Sequence, residues 1–287
     1  MWIRPKFRGR LLHAAAARAT GQKHPLTRLD IPRQNALGMT PIVIIPARMA
    51  ASRLPGKPLA DIGGVPMVVR VLRQAERAGV GDVAIAAGDA AIVEAVRAAG
   101  GRAVLTDPAL ASGSDRVLAA LADLDPDGRC DVVINLQGDM PFVSPAVITA
   151  CLGVLAAEAD CDIATAIAPE ASPDDRADPA VVKAVVSLPP GDPRGRALYF
   201  TRSVLYGDGP VWKHVGVYAY RRAALERFCL APPSPLEQRE KLEQLRALEL
   251  GLSIWAAVVD ETPISVDTPA DLEAARAFAQ GLSGDRP

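Results

Sequence analysis

Residues 41–58 read PIVIIPARMAASRLPGKP, and the stretch changes character halfway through. Ile42, Val43, Ile44 and Ile45 form an unbroken β-branched run, the pattern of a strand buried on both faces, and Pro46 ends it. The loop after Pro46 carries Arg48, Arg53 and Lys57 around Gly56. It should lie at the carboxyl end of a parallel strand, where open α/β sheets hold their ligands. A triphosphate needs cations at fixed separations and backbone N–H groups unobstructed by side chains. The two arginines and the lysine supply the first, and Gly56 with its neighbours the second. The spacing is not that of a Walker A loop, which has Gly, four residues, then Gly-Lys-Ser/Thr.

Along the rest of the chain, strands alternate with helical segments. Strands are expected near 42–46, 82–87, 103–105 and 131–135, with helices near 66–78, 89–99, 113–123 and 145–158. That order predicts an α/β fold with a Rossmann-like, mostly parallel sheet flanked by helices. From 162 to 220 the pattern differs. Ile163–Ala168, Val181–Ser187 and Val215–Tyr220 are strand-like with no full helix between them, which predicts a smaller mixed-sheet lobe over roughly 162–235. Leu236 to Leu250 reads as one helix with Leu242, Leu245 and Leu248 on its apolar stripe, and Ile264–Val266 as a last strand. One α/β domain over 39–280 is expected, with a short tail at 281–287.

About half the residues are hydrophobic, enough for a full core. The net charge of −1 hides an asymmetry: residues 1–38 carry +7, and the remainder −8. An acidic body argues against nucleic acid as a partner. The basic segment lacks a sustained apolar face and is expected to be disordered. It reads either as a transit-like extension or as translation upstream of a true start at Met39, and the second fits better because serine is absent from it. Cys130, Cys151, Cys161 and Cys229 show no Cys-x-x-Cys pairing, so neither a zinc site nor a disulfide framework is indicated, and a cytoplasmic location is the default. No apolar run has the length of a membrane span.

Two acids stand where a strand ends. Asp131 to Leu136 is a second buried-strand pattern that runs into Gln137-Gly138-Asp139, and Asp267 comes directly after Ile264-Ser265-Val266. Beyond Asp267, Thr268 suits an N-cap, Pro269 the first helical position and Asp271 the acid of a capping box. Capping thus leaves Asp267 without a local role. Two carboxylates from separate strand ends can hold one Mg²⁺ whose remaining ligands are waters and substrate oxygens. Ser112-Gly113-Ser114-Asp115-Arg116 opens another helix, with Ser112 as its N-cap.

Taken together, Pro-Ala-Arg, four residues, Arg-Leu-Pro-Gly-Lys-Pro-Leu; Asn-Leu-Gln-Gly-Asp; and Val-Asp-Thr-Pro-Ala-Asp-Leu resemble the motifs of the 3-deoxy-manno-octulosonate cytidylyltransferases, within the sugar nucleotidyltransferases. The resemblance spans residues 40 to about 277. It implies transfer of CMP from CTP to the sugar acid Kdo, Mg²⁺ as cofactor on Asp139 and Asp267, Lys57 as a catalytic cation, and a homodimer. It implies nucleotide contacts from Ala47, Arg48, Arg53, Lys57, Ser112, Gly113 and Arg116. It places Gln137, Arg202, His214, Tyr218, Glu243 and Gln244 on the sugar side, where a 2-keto acid requires a cation and groups that both donate and accept.

Three positions depart from the family pattern. Ala86-Ala87-Gly88 stands where Ala-Thr-Asp is usual, with Asp89 one residue later; Met140 comes after Gln-Gly-Asp in place of an acid; and Tyr206 replaces a common Trp. The first puts ribose or metal-shell contacts in question. A related 2-keto sugar acid (neuraminate or 8-amino-Kdo) and a non-catalytic sugar-nucleotide-binding role remain open as alternatives.

Overall fold

The computed structural model describes residues 38–284, apart from 52, 171, 206, 208 and 261. The readings of 1–37, Tyr206 and 285–287 lie outside the described residues. In chain order Pro41–Ala47 (β1) leads to a small hairpin, Asp61–Ile62 (β2) with Val65–Pro66 (β3), then Met67–Ala78 (α1), Asp82–Ala87 (β4), Ala90–Ala98 (α2) and Ala103–Leu105 (β5). Next come Gly113–Leu124 (α3), Val132–Leu136 (β6), Pro145–Ala157 (α4) and Ile163–Pro169 (β7), then Lys183–Ser187 (β8), Arg194–Thr201 (β9) and Trp212–Arg221 (β10). The chain continues through Arg222–Leu230 (α5), Pro235–Glu240 (α6), Gln244–Glu249 (α7), Ile254–Val258 (β11) and Pro269–Gly284 (α8).

Nine strands form one sheet in the order β5-β4-β1-β6-β10-β7-β11-β9-β8. The first four are mutually parallel. The α/β class is therefore as expected, and the mixed strands extend the same sheet: β10 pairs antiparallel with β6 on one edge and with β7 on the other. The apolar run of β1 explains its central place. Val43 and Ile45 pack with α1, α2 and α4, while Ile42 and Ile44 join α3 and α5 on the opposite face. All four are at most 2% exposed, so truncating any of the three isoleucines to Ala would cost about 2–5 kcal/mol.

Two expectations are corrected. The helix over 236–250 is broken into α6 and α7 at Lys241, which is left-handed at φ 57°. Arg246 donates to both carboxylate oxygens of Glu237 at 2.7 and 2.6 Å. A straight helix would hold residues nine apart about 13 Å apart along its axis. This ion pair, with both side chains largely buried, is the tertiary contact that accompanies the break. Residues 264–266 form no strand: Val266 N–H donates to Asp139 O at 2.9 Å, and Pro263 precedes the segment. β9, β11 and α5 were not anticipated as elements.

Candidate active site

Within the parallel half the order β5-β4-β1-β6 reverses direction between β1 and β6, and a cleft of about 340 Å³ opens beyond their carboxyl ends. Ala47 closes β1, and the loop after it contributes Arg48, Arg53 and Lys57 to the cleft wall. The opposite wall comes from the N-terminus of α3, with Ser112, Gly113 and Arg116. Gln137 and Asp139 enter from the turn after β6, and Asp267 from the segment before α8. All the residues expected at the nucleotide and metal end thus converge.

Gly138 makes this convergence possible, because a Cβ there would stand 2.8 Å from the Pro46 carbonyl oxygen, so only glycine lets the end of β6 lie this close to β1. Lys57 Nζ then sits between the acids, donating to Asp139 Oδ2 at 3.1 Å and Asp267 Oδ1 at 3.0 Å. Arg53 adds a more exposed ion pair to Asp267 at 3.4 Å. Burial pushes the Asp139 carboxyl above its ordinary range and the Asp267 charge adds to this, while Lys57 opposes both. The two carboxylates need a cation between them. Two hard oxygen donors converging on one cationic centre are the donor set that Mg²⁺ takes, and they fit it. Among the described residues no group of three or more His, Cys, Asp or Glu converges, so a metal here would have these two protein ligands and take the rest from water and substrate.

The N-termini beside the cleft are capped as expected. Ser112 accepts from Asp115 N–H, and Asp115 accepts from Ser112 N–H. Asp271 accepts from the backbone N–H groups of Asp267 and Thr268, which fixes Asp267 at the cleft edge. Arg116 is buried and its guanidinium serves the cleft wall: it donates to Thr106 Oγ1 at 2.6 Å and to the carbonyls of Asp107 and Pro108.

The departure at Gly88 has a structural account. A Cβ there would come within 2.9 Å of Arg116 Nη1 and 3.2 Å of Arg48 Cβ, so the missing side chain makes room for the guanidinium. Asp89, one residue on, accepts the Met49 backbone N–H at 2.8 Å and so holds the arginine-lysine loop. Met140 is buried in the core.

The residues expected on the sugar side, Gln137 apart, do not line this cleft. His214 lies on β10 between the rings of Phe200 and Tyr218, at 5.1 and 5.3 Å between centroids, with Nε2 2.9 Å from Thr165 Oγ1. Desolvation lowers its pKa to about 4, so the ring is neutral at pH 7. Burial, with the nearby Glu243 charge, raises the Tyr218 phenol far above its ordinary value. Arg202 donates to the Pro179 and Ala180 carbonyls. Gln244 is buried in the first turn of α7. Glu243 turns inward at the break between α6 and α7 and accepts from Ser114 Oγ at 2.9 Å.

That contact belongs to a chain of hydrogen bonds that the motifs do not disclose. Asn135 Nδ2 donates to Ser114 Oγ at 3.4 Å, and Gln137 Nε2 donates to Asn135 Oδ1 at 3.2 Å. The signal was present in the sequence: Asn135 is a polar residue inside the apolar run VVINL, and a buried amide has to find partners.

Residues 42–254 match the family model described as Cytidylyltransferase. The chain is 57% identical over 248 residues to a 3-deoxy-manno-octulosonate cytidylyltransferase of Rhodospirillum centenum, covering 86% of this chain and 96% of that protein. It is 54% identical over 254 residues to the protein of the same name from Parvibaculum lavamentivorans, covering 88% and 97%. Among solved structures it is similar to CMP:2-keto-3-deoxy-manno-octonic acid synthetase complexed with CTP, with a TM-score of 0.78, 38% identity, and coverage of 85% of this chain and 99% of that one.

Proposed function

The chain belongs to the 3-deoxy-manno-octulosonate cytidylyltransferase family, and from that premise we propose that it transfers CMP from CTP to the anomeric hydroxyl of Kdo. The sugar oxygen attacks the α-phosphorus and a new O–P bond forms. The bond from that phosphorus to the α–β bridging oxygen breaks, pyrophosphate leaves, and the hydroxyl proton is lost. The observation that carries this reading for the chain itself is the placement of Lys57 between Asp139 and Asp267 at the mouth of the β1–β6 crevice, inside a cleft also lined by Arg48 and Arg53.

Asp139 and Asp267 hold Mg²⁺, which when bound neutralises charge on the reacting phosphate and acidifies a hydroxyl. Lys57, Arg48 and Arg53 bind and orient the triphosphate. Gly113, held at the capped start of α3 by Ser112, presents its backbone to the base. In such a reaction positioning and electrostatics supply most of the rate. Gln137, in the cleft wall, serves the sugar acid. The product fits a role in lipopolysaccharide assembly, and a cytoplasmic location fits the use of CTP. No helix among the described residues is long and apolar enough to cross a membrane. A homodimer, which the family resemblance implies, is part of the proposal.

Pyrophosphate release tests the reading, measured for each NTP with Kdo, neuraminate and 8-amino-Kdo, with and without Mg²⁺. Rapid release is expected for CTP with Kdo and Mg²⁺ alone. Equal rates with neuraminate overturn the sugar assignment, and full activity in excess chelator overturns the metal.

A further inference from the structure

The hydrogen bonds from Glu243 to Gln137 have a direction. A carboxylate beside a guanidinium, here with Arg246 at 3.8 Å, only accepts hydrogen bonds. The single Ser114 hydroxyl proton therefore goes to Glu243 Oε2, 2.9 Å away. With its proton committed, Ser114 Oγ can offer only lone pairs. One receives Asn135 Nδ2–H at 3.4 Å. That fixes the Asn135 amide with Oδ1 turned away from Ser114, where it receives Gln137 Nε2–H at 3.2 Å. Gln137 is left with its carbonyl oxygen on the side of Gly113, in the cleft wall. Ser114 and Asn135 are 2% and 1% exposed, so neither can exchange these partners for bulk water.

We infer that Ser114 and Asn135 are positioning residues which transmit the negative charge of Glu243 into a fixed amide orientation at Gln137, so that the cleft presents an acceptor to a hydroxyl of the sugar acid. This deepens the proposed function and rests on it. Without the relay the Gln137 amide has no reason to prefer oxygen over NH₂ toward the cleft, and a donor on the substrate meets another donor in part of the molecules. A site built to pair with a hydroxyl discriminates strongly, because a mispaired group leaves both partners unsatisfied.

The test is a double-variant cycle on the full chain, with CTP saturating and Kdo varied. Ser114→Ala should raise KM for Kdo about five- to thirtyfold with kcat and KM for CTP near wild type and Tm a few degrees lower, because Glu243 and Asn135 lose a buried partner, and Ser114→Thr should restore both KM and Tm. Gln137→Met removes the presented oxygen and should raise the same KM. In that background Ser114→Ala should add nothing, because the relay acts only through Gln137. Penalties that multiply instead, or a Ser114→Ala enzyme with unchanged KM for Kdo, overturn the relay. A second measurement needs no variant: the side-chain amide protons of Asn135 and Gln137, read by NMR without substrate, should exchange slowly, and fast exchange of both overturns the inference. Failure of the functional reading would look different, as wild-type protein with no turnover of Kdo.

Discussion

Asp89 accepts the Met49 backbone N–H at 2.8 Å and gives up the capping of its own helix to do so. The turn after β4 thereby clamps the first residues of the arginine-lysine loop, with Gly88 N–H donating to the Ala47 carbonyl at 2.8 Å beside it. Asp89→Ala should loosen this clamp. A charged hydrogen bond of this kind contributes about 1.5–3 kcal/mol, part of which goes to loop order, so KM for CTP should rise roughly three- to tenfold with kcat little changed. Asn retains an acceptor and should stay within about twofold. Steady-state kinetics on the two variants decide the matter, and equal kinetics for Ala and wild type would remove the clamp.

Asp139→Asn and Asp267→Asn should each lower turnover by at least about 10²-fold, since a metal ligand contributes several kcal/mol of charge stabilisation and each ~1.4 kcal/mol is a factor of ten. Each change also releases Lys57 from one partner, a contact between partly exposed groups that adds little to folding. Thermal melting beside the rate assay separates the roles. Loss of rate that tracks loss of Tm would assign the acids to structure.

Lys57→Met removes the ammonium between the acids and keeps most of the side-chain bulk. It should weaken CTP far more than Kdo, and isothermal titration with a non-reacting CTP analogue reads this directly. Unchanged affinity for the nucleotide would place the triphosphate elsewhere.

The His214 ring carries a pH dependence of stability. Its pKa falls from 6.5 to about 4 on folding because the ring is desolvated, so between those values the unfolded chain binds a proton that the folded chain does not. The stabilisation is complete above pH 6.5 and is lost as pH falls toward 4. Between about pH 7 and 5 the wild type should lose about 2 kcal/mol that His214→Gln does not lose. Urea unfolding of both proteins at the two pH values gives the difference, and parallel losses would contradict the buried neutral ring.

The part of the site that sequence disclosed is the part built from contiguous chemistry. Ile42 to Ile45 announced a strand covered on both faces, and the cations after it, the acids after β6 and before α8, and the serine cap of α3 all sit at element ends, where local rules of capping and strand termination apply. Relations between distant segments were not legible. Nothing within 236–250 indicates that Arg246 pairs with Glu237 in preference to continuing a straight helix, and that pairing accompanies the turn of Glu243 inward toward Ser114, 129 residues earlier in the chain. The strand at 254–258 is short and β9 is rich in arginine, so each is recognisable chiefly by its neighbours in the sheet.

β10 joins the parallel half of the sheet to its mixed half by backbone hydrogen bonds. It is paired over Val217–Arg221 with β6 and over most of its length with β7, with one irregularity between Val215 and Tyr218. Two halves of one sheet that share a central strand cannot swing apart like a clam, because opening them would strip amides and carbonyls from the middle of the sheet and leave them unpaired. Motion at the cleft must therefore be small and local, confined to the arginine-lysine loop on one bank and the start of α3 on the other, against a frame that stays still.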